Sequence, residues 1–431
     1  MAELSDDCFA YQAASSGLSR AKDPHGAPLL RLADALRHLQ ERVRPVAAIE
    51  PRALALALGA VLAEDLIAAV DVPPADNAAV DGFAVHFDDL LPDRETTLPV
   101  IGRAAAGHPH RAAVARGEAL RIFTGAPVPS GPDTIVMQED CRVSAGRVTI
   151  APGARRGANY RRAGEDLKRG EVALAAGRRL RPVDIGLAAS LGATSLMVRR
   201  PLRVALFSTG DELAEPSGAL PPGGRYDANR FTLAALLRRQ GAEVSDLGIL
   251  PDQREAIATA LAAAAGSHDL LLTSGGVSVG EEDHVKAAVE SHGRLHFWSL
   301  AIKPGRPVAL GQVGRTAFVG LPGNPAAAVV TFVALVRPLL ALLTGASPSP
   351  PLSFTVTSGF AHRKKPGRQE WVRVALIPGD GGWRAEPFPR AGSGLLSSLA
   401  ATDGFAILSE DCLSVSPGDA LRFLPYSEVA A

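Results

Sequence analysis

From Leu29 the string LLRLADALRHLQERV places apolar residues three and four apart, and Pro45 follows shortly after. That period lays one apolar face along a helix, which should dock on a larger body. Residues 1–28 mix Ser, Asp, Gly and Pro with few apolar positions in register, the pattern of a disordered extension. From about Asp71 to Glu165 the apolar runs are short (VIGRAAAG, ALRIFTG, DTIVMQED, RVTIAPG) and Gly and Pro separate them. That texture predicts a small β-rich module without a long helix. Between Pro201 and Leu343 apolar runs alternate with helical segments: RVALFSTG, NRFTLAALLRRQG, AEVSDLGIL, REAIATALAAAAG, DLLLTSGG. Such alternation predicts a parallel α/β sheet. SPSPP at 347–351 is a stiff break, after which SFTVTSGF, EWVRVALIP and DALRFLPY predict a small C-terminal β domain.

Composition narrows the picture. At 431 residues the chain exceeds the size of one hydrophobic core, so several domains are expected. Lys plus Arg and Asp plus Glu balance at 45 each. No global field therefore draws the chain to nucleic acid or to an anionic membrane, and any anion site must be local. Cys8, Cys141 and Cys412 stand far apart with no CxxC pair, as suits a reducing compartment, and argue against a disulfide framework or structural zinc. The acidic start MAELSDDCFAYQ lacks the basic and apolar regions of a secretory signal, so a cytoplasmic location is expected. Ala326 to Leu343 is the most apolar stretch, but Arg337 and Pro338 interrupt it, and a buried helix is the expectation.

In open parallel sheets ligands bind outside the carboxyl ends of the strands, and three predicted strand ends here are unusual. RVALFS runs into Thr209, Gly210, Asp211 and Glu212. DLLLT runs into Ser274, Gly275, Gly276, Val277, Ser278, Val279 and Gly280, then Glu281, Glu282 and Asp283 before HVKAAVE. FVGLPGNPAAAVV holds Pro322, Gly323 and Asn324, with Pro325 where a helix can begin without its N–H. Small residues let backbone N–H groups approach an anion, and a helix N-terminus favours negative charge. The three ends together outline a site for a phosphate-bearing ligand. Glu281 and Glu282 read as a helix-starting set, while Asp283 suits either a cap or a functional role. Gly276-Val277-Ser278-Val279-Gly280 also matches the GxSxG nucleophile elbow. A hydrolase would need an acid and a histidine, formally Asp283 and His362, but His362 lies in the basic AHRKKPGR stretch of another predicted domain.

The strings DVPPADNAAVDGFAV (71–85), RIFTGAPVPSGPDTIVMQED (121–140) and RRAGEDLKRG (161–170) are followed by STGDEL, YDANR, TSGGVSVGEEDHVK, AIKPGRP and GLPGNP. In this order and spacing the chain, from about 29 to 428, resembles the molybdopterin molybdotransferase family, which includes the gephyrin E domain. The resemblance implies an elongated four-domain chain of α/β and β architecture. The N-terminal helix (29–48) would pack on the α/β domain, and residues 49–73 with 166–200 would form linking domain I. Residues 74–165 would form β-rich domain II, and 201–346 a three-layer α/β domain III with a parallel sheet. Residues 352–428 would form a small β-barrel, domain IV.

The activity implied is transfer of molybdate to adenylylated molybdopterin with magnesium and release of AMP. It implies a homodimer whose site lies between subunits, with a molybdopterin adenylyltransferase and molybdoenzyme maturation proteins as partners. A molybdopterin carrier or scaffold of the same fold is the rival. Motif by motif, Asp81, Thr124, Asp166, Glu212, Asp252, Asp283 and Lys303 fall on the family's catalytic positions, with Glu212, Asp252 and Asp283 as hard oxygen ligands for magnesium. Ser208, Thr209, Gly210, Asn229, Gly275, Gly276, Ser278, Arg306, Pro322, Gly323, Asn324, Pro325, Arg161, Arg373 and Ser393 fall on substrate-binding positions. Lys303 and Arg306 can balance a pyrophosphate. From its own context Asp81 reads as a turn residue before Gly82, and Thr124 can bond within its own turn. Arg161 can equally be solvated, and Pro322 and Pro325 can serve loop rigidity. The chain departs from the family pattern at Ala78 or Ala79 and at Val80, where Ser and Met are common, and at Ser299, where many members have lysine.

Overall fold

In a computed structural model, residues 8–10, 18–22, 28–275, 284–379 and 381–430 are described. The amphipathic pattern forms helix α1 (Leu32–Arg42), which buries Ala35 and Leu39 in a large apolar cluster with Leu335 and Leu339. It begins at Leu32, later than the period indicates, because Pro28–Leu30 pairs as a strand with Leu18–Lys22 and Ala301 N–H donates to Leu30 O at 2.7 Å. The expectation of a disordered 1–28 is corrected at the residues described there: Cys8 and Phe9 are fully buried in that cluster, where the Phe9 ring gains from leaving water.

The β-rich module is a six-stranded sheet in the order Thr134–Met137, Gly82–Val85, Ala119–Ile122, Thr96–Ala104, Arg147–Ile150, Cys141–Ser144. Gly82 sits mid-sheet, where a Cβ would lie 1.9 Å from Val136 O. The glycine after Asp81 thus serves strand packing, which replaces the turn reading. A second unit combines stretches far apart in sequence: Ser195–Arg199 lies between Ile49–Ala53 and Val61–Leu62. Helix α2 (Pro182–Ser190) packs there, its first turn closed by Asp184, which accepts from Arg181 N–H at 2.9 Å.

Six strands form the central sheet: β1 (Arg203–Thr209), β2 (Glu243–Leu250), β3 (Leu270–Ser274), β4 (Gly293–Ser299), β5 (Pro307–Val313) and β6 (Thr316–Leu321), in the order β2-β1-β3-β6-β5-β4. β2, β1, β3 and β6 are mutually parallel, as the alternation predicts. β5 runs antiparallel to β6, and β4 antiparallel to β5, so the all-parallel expectation is corrected to a mixed sheet. Only Gly314 and Arg315 separate β5 from β6, and so short a connection permits only an antiparallel return. Helices α3 (Ala228–Arg239), α4 (Arg254–Ala265) and α5 (His284–His292) cover the sheet with α6 (Pro325–Thr331) and α7 (Arg337–Thr344). Pro325–Thr344 is long and apolar enough to cross a membrane, yet 78% of its apolar window is buried inside the protein. A π-helical turn at Phe332–Val336 interrupts it. Pro338 follows directly, and its missing N–H removes one helical bond there.

The C-terminal strands close a five-stranded barrel: Gln369–Gly379, Gly382–Pro387, Phe354–Ser358, Ala420–Pro425 and Gly404–Leu408, which pairs back to the first. Ile302–Lys303 adds to the barrel wall beside Gln369 and Glu370, joining it to the central sheet.

Candidate active site

The register of the central sheet brings Ser208, Ser274 and Leu321 into one row across β1, β3 and β6, so three chain stretches leave the sheet at the same edge. There Gly275 N–H donates to Leu321 O at 3.0 Å. Gly275 adopts φ +90°, a conformation open to glycine, and this exposes the turn's backbone. Asn229, in the first turn of α3, donates both amide hydrogens, one to Ser274 Oγ at 2.7 Å and one to Gly323 O at 2.8 Å. It thereby ties the β3 turn to the β6 turn. Thr209 is buried, and its hydroxyl donates to Asp252 Oδ1 at 3.0 Å, while the second carboxylate oxygen takes no hydrogen bond among the described residues. Glu212 is exposed, folds back over Gly210 and pairs loosely with Arg225 at 3.7 Å.

The antiparallel strands contribute to the same edge. β5 runs opposite to β6, so its start adjoins the end of β6, and Ser299, Lys303 and Arg306 are delivered to the rim. Lys303 Nζ lies 3.3 Å from both oxygens of Glu370, and His362 Nε2 lies 3.0 Å from Glu370 Oε2. Glu370 is only 3% exposed while the Lys303 side chain is 53% exposed, so a buried carboxylate anchors an accessible ammonium. Thr331 Oγ1 donates to Gly305 O at 3.2 Å, holding the Lys303–Arg306 loop against α6. On the same rim Ala326 N–H, in the first turn of α6, donates to Ser393 O at 2.9 Å, so Ser393 adjoins Asn324 and Pro325.

Sequence reasoning missed Glu370 and a buried arginine that steadies α3, and it gave His362 and Ser274 no part in anchoring this edge. Arg230 bonds Asp227, Asp246 and Glu215. Burial alone would lower its pKa, but the hydrogen bonds of Asp246, Asp227 and Glu215 raise it. The Asp-x-x-Arg spacing of YDANR hints at this start of a helix, but nothing in the chain signals Asp246 or Glu215.

Asp81 and Thr124 form a second group. Asp81 Oδ1 accepts from Thr124 N–H at 2.8 Å and from its hydroxyl at 2.7 Å, so the Thr124 hydroxyl serves Asp81 and not its own turn. These two bonds, backbone first, hold the Asp81 pKa below its ordinary value. No hydrogen bond or ion pair among the described residues joins this pair to the strand-end group. Nor do Arg161 and Asp166 join it: exposed Arg161 lies 3.9 Å from Glu165, and Asp166 N–H donates to Val72 O. Arg373 stands half-buried in the barrel wall, its pKa lowered by burial and raised by Tyr426, with no hydrogen bond to the strand ends among the described residues. Gly276, Ser278 and Asp283, with Glu281, Glu282 and the GxSxG string, lie outside the described residues. The hydrolase reading draws no support from His362, which is bonded to Glu370.

A doubly wound sheet with glycine turns, a clamping amide, carboxylates and a Lys–Arg pair along one carboxyl edge defines a multidomain α/β protein for an anionic ligand. The comparisons with known proteins agree. Residues 30–192 match the MoeA N-terminal region (domain I and II), 205–342 a probable molybdopterin binding domain, and 355–426 the MoeA C-terminal region (domain IV). The molybdopterin molybdenumtransferase of Haemophilus influenzae is 40% identical over 372 residues, covering 86% of this chain and 92% of its own. That of a Nostoc species is 34% identical, covering 81% and 82%. The crystal structure of a molybdopterin biosynthesis moeA protein from Pyrococcus horikoshii superposes with TM-score 0.80 at 29% identity, covering 92% of this chain and all of that one. The chain belongs to the MoeA family of molybdopterin molybdenumtransferases.

Proposed function

We propose that this chain is a transferase of molybdenum cofactor biosynthesis that inserts molybdate into adenylylated molybdopterin and releases AMP. The observation that carries this reading is the clamp at the sheet edge. Asn229 ties two phosphate-sized turns together while Lys303, fixed by Glu370, and Arg306 stand on the same rim. The glycine backbone of those turns and the two cations suit a pyrophosphate linkage, which carries several negative charges.

Carboxylates beside a pyrophosphate need a cation between them. Asp252 has one oxygen engaged by Thr209 and the other without a hydrogen bond among the described residues, and Glu212 is exposed on the same edge. Hard oxygen donors in pairs, completed by substrate phosphates, fit magnesium. Glu212 and Asp252 would hold it, with Asp283 as the third ligand that family resemblance proposes. When bound, magnesium supplies charge neutralisation and Lewis acidity at phosphorus. The protein's own groups do the remaining work. Thr209 orients Asp252, Lys303 stabilises negative charge that develops on the leaving phosphate, and the Gly275 and Gly323 turns keep the ligand's phosphates in register.

The Asp81–Thr124 pair flanks the strands of another sheet, and among the described residues no hydrogen bond or ion pair joins it to the strand ends. A second copy that presents this pair across the cleft would complete the site, which favours a homodimer. Asp81, held as a carboxylate by Thr124, could then accept a proton or orient molybdate. The cytoplasm, where thiols stay reduced, suits both the three free cysteines and a dithiolene substrate.

The test is AMP release from adenylylated molybdopterin by purified protein, with and without molybdate and magnesium, and in Asp252→Asn. Release that needs both and falls at least tenfold in the variant supports the reading. Tight binding of the pterin without AMP release would make the chain a carrier instead.

A further inference from the structure

The edge of the central sheet opposite the candidate active site holds a cavity. Its floor is made where the chain enters β1 and β2, at Pro201, Leu202, Gly241 and Ala242. The cavity has a volume of about 250 Å³. Arg52, Arg179, Arg199, Arg200 and Arg239 line it, and no Asp or Glu is among its lining residues. In a chain with equal numbers of acidic and basic residues this is a strong local excess of one sign.

Two of the five charges are answered. Arg52 bonds Glu50 at 2.6 Å, and Arg200 bonds both oxygens of Asp269 at 2.7 and 2.8 Å. Among the described residues the other three are not. Arg179 donates to Gly59 O at 2.8 Å, Arg199 to Ala47 O at 3.0 Å and Arg239 to Ser427 O at 2.9 Å, each a single bond to a neutral carbonyl. A guanidinium has five N–H donors, so most of theirs remain available. The arginines are not consumed in capping α3, because its last carbonyls are already bonded: Gly241 N–H donates to Arg238 O and Ala242 N–H to Leu237 O. Arg179 is also held in place, for a Cβ at Gly241 would come 3.3 Å from its Nη1.

We infer that this cavity is a second anion site, distinct from the strand-end cleft, for a small multivalent phosphate-class oxyanion such as pyrophosphate. Three uncompensated guanidinium forks match the geometry of phosphate oxygens better than ammonium groups would. The volume of about 250 Å³ exceeds the roughly 150 Å³ of a cavity that takes up a benzene molecule, so a pyrophosphate-sized ion fits. This inference does not depend on the proposed transferase activity.

The test is calorimetric titration of the full chain with inorganic pyrophosphate at constant ionic strength. Lys303→Ala/Arg306→Ala removes cations from the strand-end cleft, and Arg179→Gln/Arg199→Gln removes two from this cavity. The site predicts that binding persists in the first variant and weakens at least tenfold in the second, which still melts as the wild type. If the second variant does not fold, Arg239→Gln, at an exposed position in the last turn of α3, serves in its place and should weaken binding severalfold. No heat beyond that of sodium chloride would overturn the inference. So would binding that survives in the cavity variants. A cavity variant that dissociates an oligomer, with no pyrophosphate bound by the wild type, would assign the arginines to a second copy and also overturn it.

Discussion

Asn229→Ala tests whether the sheet-edge clamp sets the geometry of the site. The wild-type amide makes two neutral hydrogen bonds, at 2.7 Å to Ser274 Oγ and 2.8 Å to Gly323 O. Each such bond contributes about 1 kcal/mol net, so the variant loses about 2 kcal/mol of the interaction that keeps the β3 and β6 turns in register. Asn229 lies at the start of α3, whose anchoring by Arg230 and Asp227 is untouched, so the fold should survive. If the clamp holds the turns in their transition-state arrangement, that energy appears in kcat/KM as a fall of about 30-fold. Ser274→Ala removes one of the two bonds and should cost about fivefold, and the double variant should fall short of the product because both changes break a shared contact. The assay is initial AMP release at subsaturating substrate, with thermal melting as a control for folding. A change under about twofold in a well-folded Asn229→Ala protein would refute the clamp.

Other outcomes follow from the same geometry. Glu370→Gln keeps the size of the side chain but removes the charge that holds Lys303, which should lower kcat/KM about tenfold. Because Lys303 is half exposed, stability should change by only about 1 kcal/mol, and Glu370→Asp should restore part of the activity. Thr124→Val removes the hydroxyl bond to Asp81 and leaves the backbone bond, so the Asp81 pKa should rise and the acid limb of the pH–rate profile should move upward; an unchanged limb would separate Asp81 from the rate. Burial, then the charge of Arg42, holds the His38 pKa below its ordinary 6.5, so between those two values the unfolded chain binds a proton that the folded one does not. Stability should therefore fall as pH drops below 6.5 and level off below the folded value, and the urea midpoint of His38→Gln should lose that dependence.

The sequence revealed those features whose signal is local. Helix α1 is legible because its apolar spacing is carried by the helix itself, whereas its start shifts to Leu32 through a pairing of Leu30 with distant chain. Ser208, Thr209, Gly275 and Gly323 were legible because chemistry follows directly on apolar runs at the ends of strands. The antiparallel half of the sheet was less so, although the two-residue Gly314-Arg315 connection between β5 and β6 was a signal for it. Glu370 and His362 lie about 60 residues beyond the Lys303 they serve, and Glu370 meets it only because Ile302–Lys303 joins the barrel wall, so no spacing rule reaches them. The Asp81–Thr124 bond likewise spans 43 positions, and family resemblance named both residues without showing that they touch.

The central claim is tested most directly by counting product in a single turnover. Enzyme loaded with one equivalent of adenylylated molybdopterin is given molybdate and magnesium, and AMP and pterin-bound molybdenum are quantified in the same sample. The account predicts one AMP released for each molybdenum bound, with both lost together in Asp252→Asn. AMP released without molybdenum on the pterin, or molybdenum bound without AMP, would contradict it.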